Sequence, residues 1–346
     1  MIYLENQQAL GMLVKISLTG APEYSDRYVG YGEASYHMMR QFEDQGIQCL
    51  IGDPRAKIGI AFIQPDKYLF PKHQYKIGYT PWESSELMPG WKESIDNNID
   101  ELWTTSQWCK EMFAKHTDKP IFVYRHGVLD TWIPKKRSIN KSRPFRFLHI
   151  GEPSFRKDGQ MVVDAFIALY GNNPKYELVL KCSRMNTTRI FDKDSGEVIG
   201  SPDSKYKNIK IIESMLSVEQ MDGLYDLCDA FVYPSWGEGF GFNPLQAMAK
   251  GIPTICTEAW AEYDNYITMP LDSKLVTSPW PATHPGLMYK PNYAELKFYM
   301  KDVVGDYESY SNIAYRNSFL IHRDYNWKKV SKPAVERLKE IQKRHF

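Results

Sequence analysis

The chain has 346 residues, of which 43% are hydrophobic and 25% charged, and its 43 Lys and Arg nearly balance its 42 Asp and Glu. This composition excludes a mainly disordered chain and a protein that holds nucleic acid by net charge alone, although it allows a local basic patch. The length suits two domains of about 150 residues each. The five cysteines are scattered and form no Cys-x-x-Cys pair. This usage argues against a disulfide framework or a zinc site and favours a reducing compartment.

Apolar runs of strand length alternate with segments of helical period along the chain. This alternation predicts parallel sheets wound by right-handed crossovers, with ligands at the carboxyl ends of the strands. The predicted strands are Leu13–Leu18, Phe122–Tyr124, Phe145–Ile150, Tyr176–Leu180, Ile209–Ile212, Ala230–Tyr233 and Thr254–Cys256, and Lys76–Thr80 is strand-like. The predicted helices are Gly32–Gln45, Ile95–Lys115, Gly159–Tyr170, Ser217–Cys228, Pro244–Lys250 and the amphipathic Lys332–Lys343.

Several segments bear on location and domain borders. No apolar run approaches the roughly 20 residues of a membrane span, and Met1–Gln8 lacks the order of a signal peptide, so we expect a cytoplasmic protein. The basic, proline-containing stretch Ile133–Pro144 is typical of a hydrated linker between two α/β halves, a reading we favour over a polyanion contact. Asn186–Ser204 is polar and is expected to be a surface excursion.

The segment Ala230–Ile255 carries the most chemical information. A buried strand ends at Tyr233, and three alternating glycines follow before a helix with Asn243 at its expected N-cap and Gly251 at its C-cap. A glycine loop that enters a helix N-terminus favours anionic oxygens. Glu238 lies inside this loop and would repel a phosphate, so its expected role is to accept hydrogen bonds from hydroxyl groups. An anion site beside such a carboxylate suits a sugar attached to a diphosphate.

These residues resemble a known family. The pattern PSxxEGFG from Pro234 to Gly241, followed by AMAxGxP from Ala247 to Pro253, resembles the donor-site signature of glycosyltransferase family 4. The resemblance extends to Ile77–Trp91 with Asp100–Ser106, to His126-Gly127-Val128, and to the aromatic-x-Trp of Tyr325–Trp327. It implies an α/β chain of the GT-B fold, with two facing Rossmann-like domains and a C-terminal helix that crosses back to the first domain. The expected borders are 1–140 for the acceptor domain, 141–320 for the nucleotide-sugar domain and 321–346 for the returning helix.

The resemblance implies a retaining glycosyltransferase that moves a sugar from a nucleotide-diphosphate sugar to a hydroxyl acceptor. Glu238 would bind the sugar, and Arg156 and Lys157 would neutralise the diphosphate, so that neither a metal nor another cofactor is required. His126 would contact sugar or acceptor. The remaining donor-site candidates are Gly30, Gly32, Gly151, Arg184, Gly239, Phe240, Gly241, Phe242, Asn243 and Gln246, and the candidates on the acceptor side are Trp82 and Glu83.

Two positions depart from the family pattern. Where the family has a second glutamate, eight positions after the first, this chain has Gln246, which could still accept a bond from the ribose and could also donate one. Where the family often has Arg directly after Gly151, this chain has Glu152. We interpret Gln246 as a sign of a retuned site, and beside Glu152 the residues Arg156 and Lys157 stay the candidates to neutralise the diphosphate. A degenerate GT-B protein that only binds nucleotide-sugar or glycan, and a GT-B epimerase or phosphorylase, stay open as alternatives.

Some features favour a structural interpretation. Gly30 and Gly32 are equally compatible with a plain helix entry, and Trp82 with packing at a domain edge. Asp192-Lys193-Asp194 has the spacing of a metal motif from a different glycosyltransferase fold, but its polar surroundings indicate surface charge. Glycan, protein side chain and modified nucleobase all stay open as the acceptor, and the charge balance gives no indication of nucleic acid.

Overall fold

The computed structural model describes residues 14–24, 30–70, 72–152, 154–182, 190, 192–199 and 204–346. The described residues divide into two compact units. Unit 1 falls within Met1–Gly127, Trp280–Pro285 and Tyr325–Phe346, and unit 2 within Val128–Pro279 and Gly286–Asp324. The C-terminal segment therefore belongs to the same unit as the N-terminal half of the chain.

Unit 1 is built on a parallel sheet of six strands in the order β2-β1-β3-β4-β5-β6. The strands are β1 (Val14–Gly20), β2 (Ile47–Ile51), β3 (Ile58–Phe62), β4 (Tyr75–Tyr79), β5 (Glu101–Thr104) and β6 (Ile121–Val123). The helices are α1 (Ala21–Tyr24), α2 (Gly30–Asp44), α3 (Trp91–Asn98), α4 (Gln107–Phe113) and the last helix of the chain, α10 (Trp327–His345).

The last helix contacts the rest of unit 1 through polar as well as apolar groups. Arg337 pairs with the buried carboxylate of Glu101, Nη2 to Oε2, at 2.6 Å. The hydroxyl groups of Tyr124 and Ser331 lie 2.8 Å apart. A Cβ at Gly127 would lie 2.7 Å from the backbone of Trp327, so only glycine allows the helix start to approach this closely. The predicted return of the C-terminal helix to the first domain is thus confirmed.

Unit 2 contains a second six-stranded parallel sheet, in the order β12-β11-β10-β7-β8-β9, and a separate antiparallel pair β13-β14. The strands are β7 (Phe145–Ile150), β8 (Tyr176–Lys181), β9 (Ile209–Ile212), β10 (Ala230–Tyr233), β11 (Thr254–Thr257), β12 (Met269–Leu271), β13 (Ser273–Thr277) and β14 (Leu287–Pro291). The helices are α5 (Gly159–Tyr170), α6 (Val218–Asp226), α7 (Phe242–Ala249), α8 (Tyr293–Gly305) and α9 (Tyr307–Tyr325).

Local sequence patterns located most elements of unit 2. β7, β9, β10 and α5 have the predicted bounds, because the strands are short and mainly apolar and α5 begins at a side-chain cap, Asp158. The predicted helix Ile95–Lys115 is wrong. The structure has strand β5 in its middle, and Ser106 then caps α4 by accepting a bond from the backbone N–H of Cys109.

The stretch Ile133–Pro144, predicted as a hydrated linker, has no helix or strand and is mostly exposed, but ion pairs attach it to unit 2. The guanidinium of Arg137 lies 3.2 Å from Asp226, and that of Arg143 lies 2.6 Å from Asp229. Lys135 pairs with Asp226 as well. The Arg137 side chain is only 9% exposed. Because these pairs join the stretch to unit 2, the border between the units follows Gly127 instead of residue 140.

Candidate functional site

The sheet order of unit 2 places two loops side by side. From β7 the chain moves outward to β8 and β9, and it then returns to the other side of β7 to form β10, β11 and β12. The border between β7 and β10 is therefore the point where the strand order reverses, and in open α/β sheets ligands bind beyond the carboxyl ends at that point. The loop after β7 carries Arg156 and Lys157, and the loop after β10 carries Glu238.

Four donor groups converge on the carboxylate of Glu238, and each contacts Oε1. Arg156 Nη1 lies at 2.8 Å and Lys157 Nζ at 3.0 Å. The hydroxyl groups of Tyr233 and Ser235 donate to the same oxygen over 2.9 Å and 2.8 Å. Within the part of the chain that the structure describes, Oε2 accepts no hydrogen bond, so this atom can serve a ligand.

At Glu238, the neighbouring positive charges lower the pKa of the carboxyl group by more than burial raises it. Its side chain is 9% exposed, and burial alone would raise the pKa of the carboxyl group. The positive charges of Arg156 and Lys157 nevertheless lower the pKa of Glu238 to about 2. The same environment, mainly burial, raises the pKa of Tyr233 well above its ordinary value, so this phenol stays protonated and donates. Glu238 is therefore an anion held by two cations at neutral pH.

The helix that follows Glu238 begins earlier than predicted. Gly241, at φ 78°, is the N-cap of α7, and the helix starts at Phe242. A Cβ at Gly241 would lie 2.4 Å from the Tyr263 hydroxyl group, so close packing as well as φ requires glycine. Asn243 is not the cap; its Nδ2 donates to Ile150 O at 3.1 Å and ties α7 to the end of β7. Gly239 and Phe240 are buried in the same loop.

Gln246 lies one turn into α7 and is half-buried. Its Oε1 accepts a bond from the hydroxyl group of Tyr225 at 3.3 Å, and that hydroxyl group also lies 3.1 Å from Asn243 O. Tyr225 is fully buried, and burial raises its pKa well above the ordinary value, so the phenol keeps its proton. This contact engages the amide oxygen of Gln246, while its NH₂ group can donate to a ligand.

Sequence reasoning missed three residues that shape this site. Ser235 lies within the quoted signature and Tyr233 directly precedes it, but the pattern gives neither residue a role. His149, in β7, stacks on Tyr233 with ring centroids 5.8 Å apart. Its Nδ1 is 2.9 Å from Val232 O, and burial lowers the pKa of the imidazole to about 4. A Cβ at Gly151 would lie 2.8 Å from the side chain of Lys157, so glycine there lets the lysine reach Glu238.

The remaining positions discussed for the donor site lie outside the contacts of Glu238 described above. Glu152, which stands where the family often has Arg, is exposed. Gly30 and Gly32 lie in the first turn of α2 and do not form a loop before it, which corrects the predicted helix start. A Cβ at Gly30 would have no neighbour within 4 Å, so nothing in the described surroundings demands glycine there. Arg184, like part of the predicted excursion Asn186–Ser204, lies outside the described residues.

The predicted acceptor-side residues belong to unit 1. His126 is buried among aromatic rings, and burial lowers its pKa to about 3, so it is neutral at physiological pH. Trp82 packs against Trp91 with ring centroids 4.4 Å apart and donates its indole N–H to Glu86 O at 2.8 Å. Glu83 lies 3.8 Å from His284.

The Asp-x-Asp segment has a structural role. Asp192 is 3% exposed and accepts bonds from Ser195, Tyr206 and the backbone N–H of Asp194. Asp192 is thus a buried turn residue, whereas Lys193 and Asp194 are exposed, as the prediction of surface charge requires. Among the described residues, no group of three or more His, Cys, Asp or Glu side chains is arranged to hold a metal ion. All five cysteines are free, and no described helix combines the length and the hydropathy that a membrane span requires.

A family model and curated relatives match part of this chain. A family model described as Glycosyl transferases group 1 matches residues 144–273. The lipopolysaccharide core biosynthesis mannosyltransferase LpsB of Rhizobium meliloti (strain 1021) is 24% identical over 184 residues, which cover 50% of this chain and 49% of the relative. The chain spans about half the length of the curated relatives that it matches.

Solved structures match over both units. Sucrose-phosphate synthase from Thermosynechococcus elongatus superposes with a TM-score of 0.69 at 12% identity, covering 95% of this chain and 99% of that one. HepE from Anabaena, solved in complex with UDP, gives a TM-score of 0.63 at 12% identity, covering 94% and 99%. At these identities the likeness concerns the fold, and it confirms the predicted GT-B class with two Rossmann-like domains.

Proposed function

We propose that this chain is a retaining glycosyltransferase that transfers a sugar from a nucleotide-diphosphate sugar to a hydroxyl acceptor without a metal ion. The observation that carries the proposal is the pair of cations on Glu238 at the β7–β10 switch point. The match of residues 144–273 to the Glycosyl transferases group 1 model supports it, as does the UDP bound to the structural neighbour HepE.

The departure of a nucleoside diphosphate places negative charge on the leaving group, and fixed positive groups stabilise that charge. Arg156 and Lys157 are assigned this role, together with the backbone N–H groups from Gly239 to Asn243 at the start of α7. In the free protein both cations are engaged with Glu238 Oε1. An incoming diphosphate competes for them, and Glu238 then accepts hydrogen bonds from the hydroxyl groups of the sugar.

Gln246 is assigned to the ribose. Because Tyr225 engages its amide oxygen, we expect Gln246 to donate from Nε2 to a ribose oxygen, where a glutamate would accept. His126, Trp82 and Glu83 stay predictions for the acceptor side. The neutral state of His126 suits a hydrogen bond to a hydroxyl group better than charge stabilisation.

A ligand panel and a transfer assay test this proposal. Thermal denaturation with UDP-, GDP-, ADP- and CDP-sugars is expected to show a raised melting temperature for one nucleotide class, because a ligand that binds only the folded state stabilises it. Product formed from that donor with simple alcohols or saccharides as acceptors should keep the anomeric configuration by NMR and form equally in EDTA. Glu238→Gln should abolish transfer, while Glu152→Gln, in the neighbouring loop, should not.

Two outcomes would redirect the assignment. Turnover of the donor alone, or only with inorganic phosphate, would identify an epimerase or a phosphorylase. Donor binding without turnover, which Gln246→Glu fails to restore, would identify a binding protein. If no nucleotide-sugar raises the melting temperature and Glu238→Gln changes no activity, the proposal is wrong.

A further inference from the structure

A cavity of about 500 Å³ lies on unit 2 and is lined by residues other than those that contact Glu238. It lies between α5, the start of α8 and the side chain of Trp236 in the loop after β10. Its volume falls within the range of small-molecule pockets, roughly 300–1,000 Å³. The residues that determine its character are Asp158, Asp164, Lys193, Trp236, Lys290 and Tyr293.

The polar wall of the cavity is fixed by hydrogen bonds. Asp158 accepts a bond from Trp236 Nε1 at 2.9 Å and one from the backbone N–H of Met161 at 3.1 Å. Asp164 accepts a bond from Gln160 at 2.7 Å and pairs with Lys193, and its side chain is 15% exposed. Such fixed carboxylates offer their remaining lone pairs to a ligand without further ordering cost.

Aromatic rings and aliphatic side chains form the rest of the lining. The ring of Trp236 is half-buried, and Tyr293 is 37% exposed at the first turn of α8. Met161 and Ile167 complete the apolar surface. A cavity that combines ring faces with a fixed polar edge matches molecules that have C–H faces and hydroxyl edges.

The charged residues that line the cavity indicate which class of ligand it can bind. Four aspartates and two lysines line the cavity, so its formal charge is negative and disfavours phosphate or a nucleotide. Lys290 Nζ lies 6.0 Å from the centroid of the Trp236 ring, and Lys297 Nζ lies 4.9 Å from that of the Tyr293 ring. These charges would repel a small organic cation from both rings. Hydroxyl groups, in contrast, can donate to the aspartates and accept from the lysines.

We infer that this cavity binds a neutral saccharide, at a place separate from the nucleotide-sugar site. The inference rests on the lining of the cavity and does not require the proposed donor chemistry. The two places share one structural loop, because Trp236 N donates to Arg156 O at 2.9 Å and Trp236 directly precedes the turn to Glu238. The saccharide therefore stabilises the loop that presents Glu238 without touching its carboxylate.

The test uses the full chain and three neutral probes, maltotriose, N,N′-diacetylchitobiose and methyl α-mannoside, by calorimetry and ligand-observed NMR. At least one probe is expected to bind. Tyr293→Ala and Asp164→Asn, which remove a ring and a charge from the lining of the cavity, are expected to weaken binding at least tenfold. Lys301→Ala, on the exposed side of α8, is the matched control and should bind as the parent does. Circular dichroism should show all three variants folded.

Several results would overturn the inference. These are no binding by any of the three probes, equal binding by parent, Tyr293→Ala and Asp164→Asn, displacement of the saccharide by UDP, or preferential binding of spermidine. Binding of UDP-sugar is measured on the same samples, so the proposed donor site is tested independently of the saccharide site. Tyr293→Ala and Asp164→Asn are expected to keep the parent's nucleotide affinity.

Discussion

Replacing Glu238 by Gln tests how its charge is balanced. The cations beside it lower the pKa of Glu238 from 4.5 to about 2, which corresponds to roughly 3 kcal/mol of favourable interaction with the ionised carboxylate. The variant keeps the shape of the side chain but leaves Arg156 and Lys157, whose side chains are 14% and 15% exposed, without their anion. We expect the free energy of unfolding at pH 7 to fall by about 2–3 kcal/mol.

The assay is urea denaturation from pH 7 to pH 2. Because the folded pKa of Glu238 lies below its unfolded value, its contribution is present above about pH 4.5 and is lost as the pH falls through about 2. The parent should lose this increment at acid pH, whereas Glu238→Gln should lack it throughout. Glu152→Gln, an exposed residue of the neighbouring loop, is the control and should change stability by less than about 0.5 kcal/mol.

The same variant should bind inorganic pyrophosphate more tightly than the parent, by about tenfold or roughly 1.4 kcal/mol, because the carboxylate no longer competes for the two cations. Calorimetry measures this affinity. Unchanged stability together with unchanged pyrophosphate affinity would refute the reasoning, since Glu238 would then contribute no charge balance.

Three further changes probe the scaffold. Gly251→Ala should destabilise the chain by more than about 1 kcal/mol, because φ is +71° and the new Cβ would lie 2.9 Å from a carbonyl oxygen; Gly196→Ala, at the same φ in open space, should cost less in urea denaturation. Arg337→Met should lower the free energy of unfolding by about 3–5 kcal/mol, because it leaves Glu101 buried without its cation. An equal loss in the double variant Glu101→Gln/Arg337→Met would contradict this reasoning. Burial lowers the pKa of His149 from 6.5 to about 4, so stability should fall by roughly 3 kcal/mol as the pH falls from 6.5 to 4, and His149→Phe should flatten that slope.

The sequence predicted the elements of unit 2 more accurately than those of unit 1. The strand β10 is a run of four apolar residues, and β7 has apolar residues at four of its six positions, so the bounds of both can be read directly. In unit 1, β5 is only four residues long and contains Glu101, whose charge suggests an exposed helical position. In the buried strand this glutamate accepts bonds from Tyr75 and Trp103, and its charge is balanced by Arg337, 236 positions away.

The candidate site shows the same division. The pattern from Pro234 to Gly251 indicated an anion-binding loop and helix, and the structure has that loop and helix with the start moved from Pro244 to Phe242. The shift arises because Gly241 packs under Tyr263 while Asn243 bonds to the end of β7, and both contacts are made by residues distant in sequence. Turn chemistry alone therefore suggested the wrong cap.

The α/β alternation and the glycine loop before a capped helix could be read from the sequence alone, because period and capping are local, and the GT-B class followed from the resemblance of local motifs to a known family. The tertiary structure decided which groups meet. Arg156 and Lys157 reach Glu238 across about 80 positions only because β10 returns beside β7. The order of strands in a parallel sheet depends on packing among all of them, and no local pattern carries that information.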